Sequence, residues 1–179
     1  MSDQGHRKLK RARDSGQCIH ALTFSTHRRQ PVLIRPGIPE VFFRHLDEAR
    51  REQDFELFAF VLMPEHVHLA IGPRSPGFQL SKALRAIKLP SAREVFSIHP
   101  ELAGALNVTL ANGKCQPRLW LAGGGYDCQM ELPDSIRSWI AYVHGNPVRR
   151  GLVQDIRHWR WSSAAEPPPI DVDPFAPWG

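Results

Sequence analysis

The sequence predicts an α+β fold, a ferredoxin-like antiparallel sheet with helices on one face and an added C-terminal helix. Three observations lead to this prediction. Short apolar segments of strand type alternate with segments whose apolar residues recur at helical spacing. Their order is strand, helix, strand, strand, helix and weak strand, followed by a further helix. The link between the second and third strands is too short for a parallel crossover, which favours an antiparallel hairpin.

The composition indicates a folded domain with a basic surface. The chain has 179 residues, of which 42% are hydrophobic, and a net charge of +5 (23 minus 18). This charge favours a polyanionic partner. Three cysteines without a CxxC spacing argue against a disulfide framework and predict a reducing cytoplasm. No signal peptide or membrane-length apolar run is present, so we expect no membrane partner.

The first predicted elements are three strands and one helix. Residues 18–25 alternate and are rich in strand formers, and residues 40–53 carry an apolar stripe at helical spacing. Residues 55–63 are apolar on both faces, as in a central strand. A tight link at residues 64–65 then leads into a strand at residues 66–71.

The later elements are marked less clearly. A helix begins near Leu80, residues 99–114 are interpreted mostly as loop, and residues 118–121 are interpreted as a short last strand. Asp134 is interpreted as the N-cap of the added helix.

The two ends of the chain differ in composition from the domain at residues 18–163. Residues 1–17 are polar and basic and predict a flexible arm, and residues 164–179 are rich in proline and predict a disordered tail.

Two clusters of basic residues are candidates for contact with nucleic-acid phosphates. The first is a ridge of one sign beside an apolar helical stripe, and the second follows the added helix. A solvated surface explains a ridge of this kind equally well. The candidate residues are Lys82, Arg85, Lys88 and Arg93 in the ridge, and Arg149 and Arg150 in the second cluster.

His66 and His68 are the candidate metal ligands. In a strand, alternate side chains share a face, so both imidazoles point the same way and Val67 points the other way. Two imidazoles side by side can hold a divalent metal through one nitrogen each. For Mg²⁺ or Mn²⁺ two neutral nitrogens are too few, and a third side chain and a substrate phosphate would complete the site.

The chain has two tyrosines that are candidates for the nucleophile of phosphoryl transfer. Tyr126 follows three glycines, which permit close approaches and unusual backbone angles, and it precedes polar residues. Tyr142 is next to a residue of the buried helical stripe and is interpreted as an edge of the core. We therefore predict Tyr126 as the nucleophile, while a metal-bound water remains the alternative.

Three blocks of the sequence resemble the REP-associated tyrosine transposases, which belong to the single-tyrosine HUH transposases. The blocks are MPEHVHL at residues 63–69, GGGYD at 123–127, and YVHGNPVRRGLV at 142–153 followed by WSS at 161–163. The resemblance implies cleavage and rejoining of single-stranded DNA near hairpins, a divalent metal and a 5′-phosphotyrosine intermediate. It implies metal ligation by His66 and His68, nucleophilic attack by Tyr126 and a third metal ligand at Gln129.

The leading functional prediction is therefore a metal-dependent DNA strand transferase. The alternative is a DNA- or RNA-binding module without catalysis, because ferredoxin-like sheets commonly bind RNA through aromatic side chains on the sheet. The histidine pair and Tyr126 favour the enzyme, since a binding module needs neither. The sequence leaves open a monomer or a homodimer.

Overall fold

The computed structural model describes residues 18–123 and 125–175. The predicted N-terminal arm lies outside the described residues. The strands are β1 (Ile19–Ser25), β2 (Phe55–Leu62), β3 (His66–Pro73), β4 (Asn107–Thr109), β5 (Cys115–Pro117) and β6 (Tyr126–Met130). The helices are α1 (Ile38–Glu52), α2 (Leu80–Ile98), α3 (Pro100–Ala105), α4 (Pro133–His144) and α5 (Asn146–Arg149).

The central sheet is antiparallel and has the strand order β2-β3-β1-β6. This is the order of a ferredoxin-like fold. The hairpin strand β3 pairs with the first strand, β1, and the last strand, β6, pairs with β1 on its other side. Strands β4 and β5 form a separate hairpin. The predicted fold class is confirmed.

Helices α1 and α2 cover one face of the sheet. Phe42 and Leu46 of α1 and Ile87 of α2 are buried in one cluster with Leu69 of β3 and Phe24 of β1. The apolar stripes read from the sequence therefore face this layer, as their helical spacing requires.

Helix α4 packs on the opposite face of the sheet. Ala21, Ala59 and Ala70 lie on this face with Met130, and Ile136 of α4 packs against them. Small side chains at these positions let the helix approach the strands closely. His66 and His68 share this face with Ala70 because strand residues alternate, so α4 lies over the strand that carries the histidine pair.

Two predictions for the second half of the chain are wrong. Residues 99–114 are not mostly loop, since they hold α3 and β4. Residues 118–121 are not the last strand. They form only a single bridge between Trp120 and Thr26, because the Trp120 ring packs against Phe24 and Phe42 in the core. The fourth strand of the sheet is β6, which begins at Tyr126.

The N-cap prediction for the added helix is also wrong. The N-cap of α4 is Leu132, and Pro133 occupies the first position inside the helix. Proline is favoured at this position because the first N–H of a helix has no intrahelical partner. Asp134 lies in the first turn, where its negative charge stabilises the helix dipole. Among the described residues, no helix is both long and apolar enough to cross a membrane.

Residues 164–175 are ordered against the sheet, so the prediction of a disordered tail is wrong for this stretch. The Asp173 carboxylate accepts a hydrogen bond from the Leu57 backbone N–H at 2.8 Å and pairs with Arg50 at 2.8 Å and Arg74 at 2.7 Å. The Phe175 ring packs on Phe58 at a centroid distance of 5.7 Å. These contacts cover the outer edge of β2, which a composition-based reading does not reveal.

Replacing Asp173 with alanine should destabilise the protein by about 1–3 kcal/mol. The change leaves the Leu57 N–H without its acceptor and removes the nearer anion of Arg50, whose side chain is only 15% exposed and whose other anion, Asp47, is 4.0 Å away. Urea unfolding would measure the loss. Asp171→Ala is the matched control, because the Asp171 side chain is exposed and Arg50 binds only its backbone carbonyl. Equal stability of both variants would show that the Asp173 contacts do not stabilise the fold.

Candidate functional site

The histidine pair lies at the start of β3 and converges on one point. The Nε2 atoms of His66 and His68 are 3.0 Å apart. Two adjacent ligands of an octahedral ion, each about 2.1 Å from it, are separated by about 3 Å. The spacing of the two nitrogens therefore matches that of two ligands on one small divalent cation.

The other nitrogen of each imidazole has its own partner. His66 Nδ1 lies 3.1 Å from Glu65 Oε1, and His68 Nδ1 lies 2.8 Å from Thr23 Oγ1. A carboxylate only accepts hydrogen bonds, so His66 carries its proton on Nδ1 and has a lone pair on Nε2. The Thr23 hydroxyl both donates and accepts, so it suits either tautomer of His68.

Both imidazoles are neutral at physiological pH. Burial lowers the pKa of His66. Burial is the largest cause that lowers the pKa of His68, to about 3, and repulsion by Arg149 and by a protonated His66 lowers it further. Only a neutral imidazole has a lone pair for a metal, so this environment keeps both side chains ready to coordinate.

Asn146 is a site residue that the sequence reasoning missed. Its Nδ2 lies 2.9 Å from His68 Nε2, at the point where the two histidines converge. An amide turned by 180° presents its oxygen at the same place and gives up the hydrogen bond that Arg149 donates to Oδ1. Amide oxygens are suitable ligands for Mg²⁺ and Mn²⁺. Helix α5 begins at Asn146, directly followed by Pro147, a position that proline favours.

Gln129, the predicted third ligand, is not brought to the histidines. Cys128 and Met130 face α4, so Gln129 between them points to the opposite face of the sheet, where its register partner is His20. This is a consequence of the two-residue period of a strand.

Tyr126 is on the same face as the histidines but two strands away. It pairs in register with Thr23, and Thr23 pairs with His68 on the other side. At about 4.8 Å per strand the backbones of Tyr126 and His68 are about 10 Å apart. The Cys128 thiol, through a hydrogen bond and its charge, is the main cause that raises the pKa of Tyr126.

Tyr142 lies in the last turn of α4 and is 58% exposed. Gly145, between α4 and α5, keeps right-handed helical angles, so the helical path continues and Tyr142 and Asn146 occupy neighbouring positions four residues apart. The Arg149 guanidinium lies 4.1 Å from the centre of the Tyr142 ring and also donates to Asn146 Oδ1. Tyr142 is thus one helical turn from a side chain in contact with His68.

The predicted DNA-binding residues lie on two different faces. Lys82, Arg85 and Arg93 line a groove of about 440 Å³ between α1 and α2, which also contains Glu48 and Glu52. That groove is on the helix layer opposite the histidine pair. Arg149 and Arg150 are beside the pair, where Arg150 donates to Glu65 at 2.6 Å.

Lys88 is turned away from solvent. Its Nζ donates to the carbonyls of Leu121 and Gly123 at 3.3 and 2.9 Å, and burial lowers the pKa of Lys88 to about 8. These contacts attach the glycine loop to α2, so Lys88 stabilises the approach to β6.

The residues at the convergence point fit a divalent cation. The donor set is two neutral imidazole nitrogens and an amide. In the described part of the chain, no group of three or more His, Cys, Asp or Glu side chains is arranged to hold a metal ion. The third donor of this set is an amide, which lies outside those residue types.

A ferredoxin-like sheet with a His-x-His pair on a central strand, beneath a tyrosine-bearing helix, defines the class of HUH enzymes that act on single-stranded DNA. The chain belongs to the IS200-like transposase family, whose pattern matches residues 15–110. It is therefore a transposase of the single-tyrosine type, as the sequence predicted. No curated protein matches the chain.

Several solved structures resemble the chain, among them two transposases. One is a REP-associated tyrosine transposase bound to a REP hairpin, with 20% identity, a TM-score of 0.63, and coverage of 91% of this chain and 82% of that one. At this identity the likeness supports the fold. The other is a putative transposase from Deinococcus radiodurans R1, with 24% identity, a TM-score of 0.48, and coverage of 77% and 97%.

Proposed function

We propose that this transposase cuts and rejoins single-stranded DNA at hairpin-forming repeats through a covalent 5′-phosphotyrosine, with a divalent metal held by His66, His68 and Asn146. The observation that carries the proposal is the convergence of these three side chains, with 3.0 Å between the imidazole Nε2 atoms and 2.9 Å from His68 to the amide. A hairpin partner is supported by the fold neighbour, which is bound to one.

The cation we propose is Mg²⁺ or Mn²⁺. When bound, it would act as a Lewis acid on a phosphoryl oxygen and help the leaving of the DNA 3′-oxygen. The surrounding side chains orient the two imidazoles. Glu65 contacts Nδ1 of His66 and Thr23 contacts Nδ1 of His68, and the Trp139 ring packs on His68 at a centroid distance of 6.2 Å.

We propose Tyr142 as the nucleophile in place of Tyr126. Tyr142 is exposed and is one helical turn from Asn146, whereas Tyr126 is two strands from His68 and has a raised pKa. The Tyr142 oxygen would attack phosphorus, the bond to the 3′-oxygen would break, and that oxygen would leave as a 3′-hydroxyl. The phosphotyrosine keeps the energy of the phosphodiester, so another 3′-hydroxyl can reverse the step.

Arg149 is suited to hold the scissile phosphate. Its guanidinium is exposed, lies over the Tyr142 ring and binds the Asn146 amide, so it is between the two groups that the reaction would bring together. Arginine binds phosphate oxygens in a two-pronged way that fixes their orientation.

Covalent capture tests the proposal and names the nucleophile. The full chain is mixed with 3′-labelled single-stranded hairpins from repeats near its coding region, with Mg²⁺ or Mn²⁺, and run on a denaturing gel. Wild type should give a shifted band that carries the 3′ fragment. Tyr142→Phe should lose the band completely because it has no phenolic oxygen, and the matched variant Tyr126→Phe should retain it.

Each alternative has a distinct result. Loss of the band in Tyr126→Phe alone would make Tyr126 the nucleophile and overturn the choice of Tyr142. Metal-dependent cleavage by wild type without any covalent band would indicate attack by water. Hairpin binding without cleavage would favour the binding-module alternative.

The ridge at Lys82 and Arg85 is proposed as a secondary DNA contact, and charge reversal tests it. Lys82→Glu combined with Arg85→Glu should weaken single-stranded DNA binding and reduce the slope of log affinity against log salt by about 1.4, because each lost phosphate contact is worth about 0.7. Fluorescence anisotropy across a salt series would measure both. Lys114→Glu, on the β4-β5 hairpin loop, is a control for net charge. A slope unchanged from wild type would show that Lys82 and Arg85 do not contact DNA.

A further inference from the structure

Glu65 contacts the proposed metal ligand His66 on the side away from the convergence point. Its Oε1 lies 3.1 Å from His66 Nδ1, while the nitrogen that faces His68 is Nε2. The imidazole ring therefore separates the carboxylate from the place where a cation would bind. Glu65 is not arranged to be a metal ligand, although an acid next to a histidine pair suggests one.

The Glu65 carboxylate is itself held in place. Arg150 donates to Oε1 at 2.6 Å, and the Glu65 side chain is only 10% exposed. The Glu65 carbonyl accepts hydrogen bonds from Thr26 N–H at 2.9 Å and Thr26 Oγ1 at 3.2 Å. Both Arg150 and the His66 Nδ1–H are placed to donate to Glu65 Oε1, an arrangement that an ionised carboxylate accepts.

Arg150 connects this carboxylate to the tyrosine-bearing part of the chain. It follows directly after α5, which begins at Asn146, and α5 continues the helical path of α4. The Arg150 side chain is 50% exposed, so its other face is open to solvent. One chain of contacts therefore runs from the end of α5 through Arg150 and Glu65 to His66.

We infer that Glu65 is a positioning residue for His66 and that Arg150 acts through it, as an anchor of the metal site rather than as a DNA contact. The carboxylate fixes the proton on Nδ1 and the plane of the ring, and so keeps the Nε2 lone pair aimed at the cation. Partners of this kind commonly change metal affinity by about 10–100-fold when removed. The inference rests on the metal site of the proposed function.

The experiment measures Mn²⁺ binding to the full chain without DNA, by the electron paramagnetic resonance signal of free Mn²⁺. Wild type should bind saturably, and Glu65→Ala should bind about 10–100-fold more weakly. Glu65→Gln should fall between them, because its amide oxygen still accepts from Nδ1–H but carries no charge. Arg150→Ala should weaken binding, and adding it to Glu65→Ala should weaken binding no further.

A matched control is available at the other side of the molecule. Glu48 contacts His45 Nδ1 at 2.8 Å, the same type of pair, on the α1 face away from the site. Glu48→Ala should leave Mn²⁺ affinity unchanged. A second readout needs no metal: nitrogen chemical shifts of the imidazole should report an Nδ1–H tautomer for His66 in wild type, and a mixture of tautomers in the Glu65 variants.

The outcomes separate this inference from the proposed function. If wild type binds Mn²⁺ and His66→Ala does not, but Glu65→Gln and Glu65→Ala bind like wild type with an unchanged tautomer, the positioning role is overturned alone. If wild type shows no saturable binding, the metal site and this inference both fail. If Glu65→Ala does not fold, Glu65→Gln decides through its affinity and tautomer. Should Arg150→Ala bind Mn²⁺ normally but lose DNA affinity and salt slope, Arg150 is a phosphate contact after all.

Discussion

His68→Ala should reduce metal-dependent DNA cleavage by about a thousandfold or more. His68 is the centre of the proposed site, since its Nε2 contacts both His66 and Asn146. Loss of the proposed Lewis acid from the phosphate costs several kcal/mol of transition-state stabilisation, and each 1.36 kcal/mol is a factor of ten in rate. Single-turnover cleavage of a labelled hairpin at saturating protein would measure the change.

Controls separate loss of the site from loss of the fold. His99→Ala removes a histidine whose partners are Pro36 and Glu101, on the opposite side of the sheet, and should cleave at the wild-type rate. The His68 variant should still unfold cooperatively, with a lower melting temperature, because His68 is buried and its removal takes a hydrogen-bond partner from Thr23 and from Asn146. Full cleavage activity in His68→Ala would contradict the proposed metal site.

Gly125→Ala should destabilise the protein by about 2–5 kcal/mol. Gly125 has φ +84°, in the left-handed region, and an added Cβ would lie 2.3 Å from the Thr23 carbonyl oxygen and 2.9 Å from Phe24 Cβ. Backbone strain and steric overlap add here, and each costs about 1–3 kcal/mol. Because β1 is buried between β3 and β6, the cost falls on the pairing of β6. Thermal unfolding should show a decrease of roughly 5–15 °C.

Gly123→Ala isolates the contribution of the close approach. Gly123 also has a positive φ, +92°, but nothing lies within 4 Å of its added Cβ. Its substitution should therefore cost only the conformational strain, about 1 kcal/mol. Similar destabilisation by both variants would mean that the packing of Gly125 on β1 is unimportant. The glycine run was read as a hinge, whereas its last member is a contact residue of the sheet.

The first half of the fold could be predicted from the sequence because its periodic signals are strong. The stripes of α1 and α2 and the apolar run of β2 each have one structural solution, and the short link after Leu62 forces a hairpin. The start of β6 could not be predicted, because a glycine run carries no periodicity. The tail could not be predicted either, since its contacts depend on Arg50, Arg74 and Leu57, which are far away in the chain.

Periodicity also explains which residues of the candidate site could be predicted from the sequence. The shared face of His66 and His68 followed from alternation alone. The role of Gln129 was inferred from a motif, and a motif does not say which face of β6 the residue occupies. A displacement of one residue along a strand moves a side chain to the other face. The signal for Asn146 was present in the sequence, because Tyr142 and Asn146 are four residues apart. It required treating Gly145 and Pro147 as compatible with a continuing helix.

The ordered segment on β2 has a consequence for how the nascent chain folds. Leu57 and Asp173 are 116 residues apart, so their contact forms only after nearly all of the described chain has been synthesised. Residues 161–163 pair with the Phe60–Leu62 end of β2 earlier, but until then the backbone groups of Leu57 on the outer edge have no partner. An unpaired apolar edge is a template for pairing with a neighbouring chain. Long-range contacts of this kind are also the slowest to close. Aggregation during translation should therefore increase in variants that delay this last step, even when the completed protein is stable.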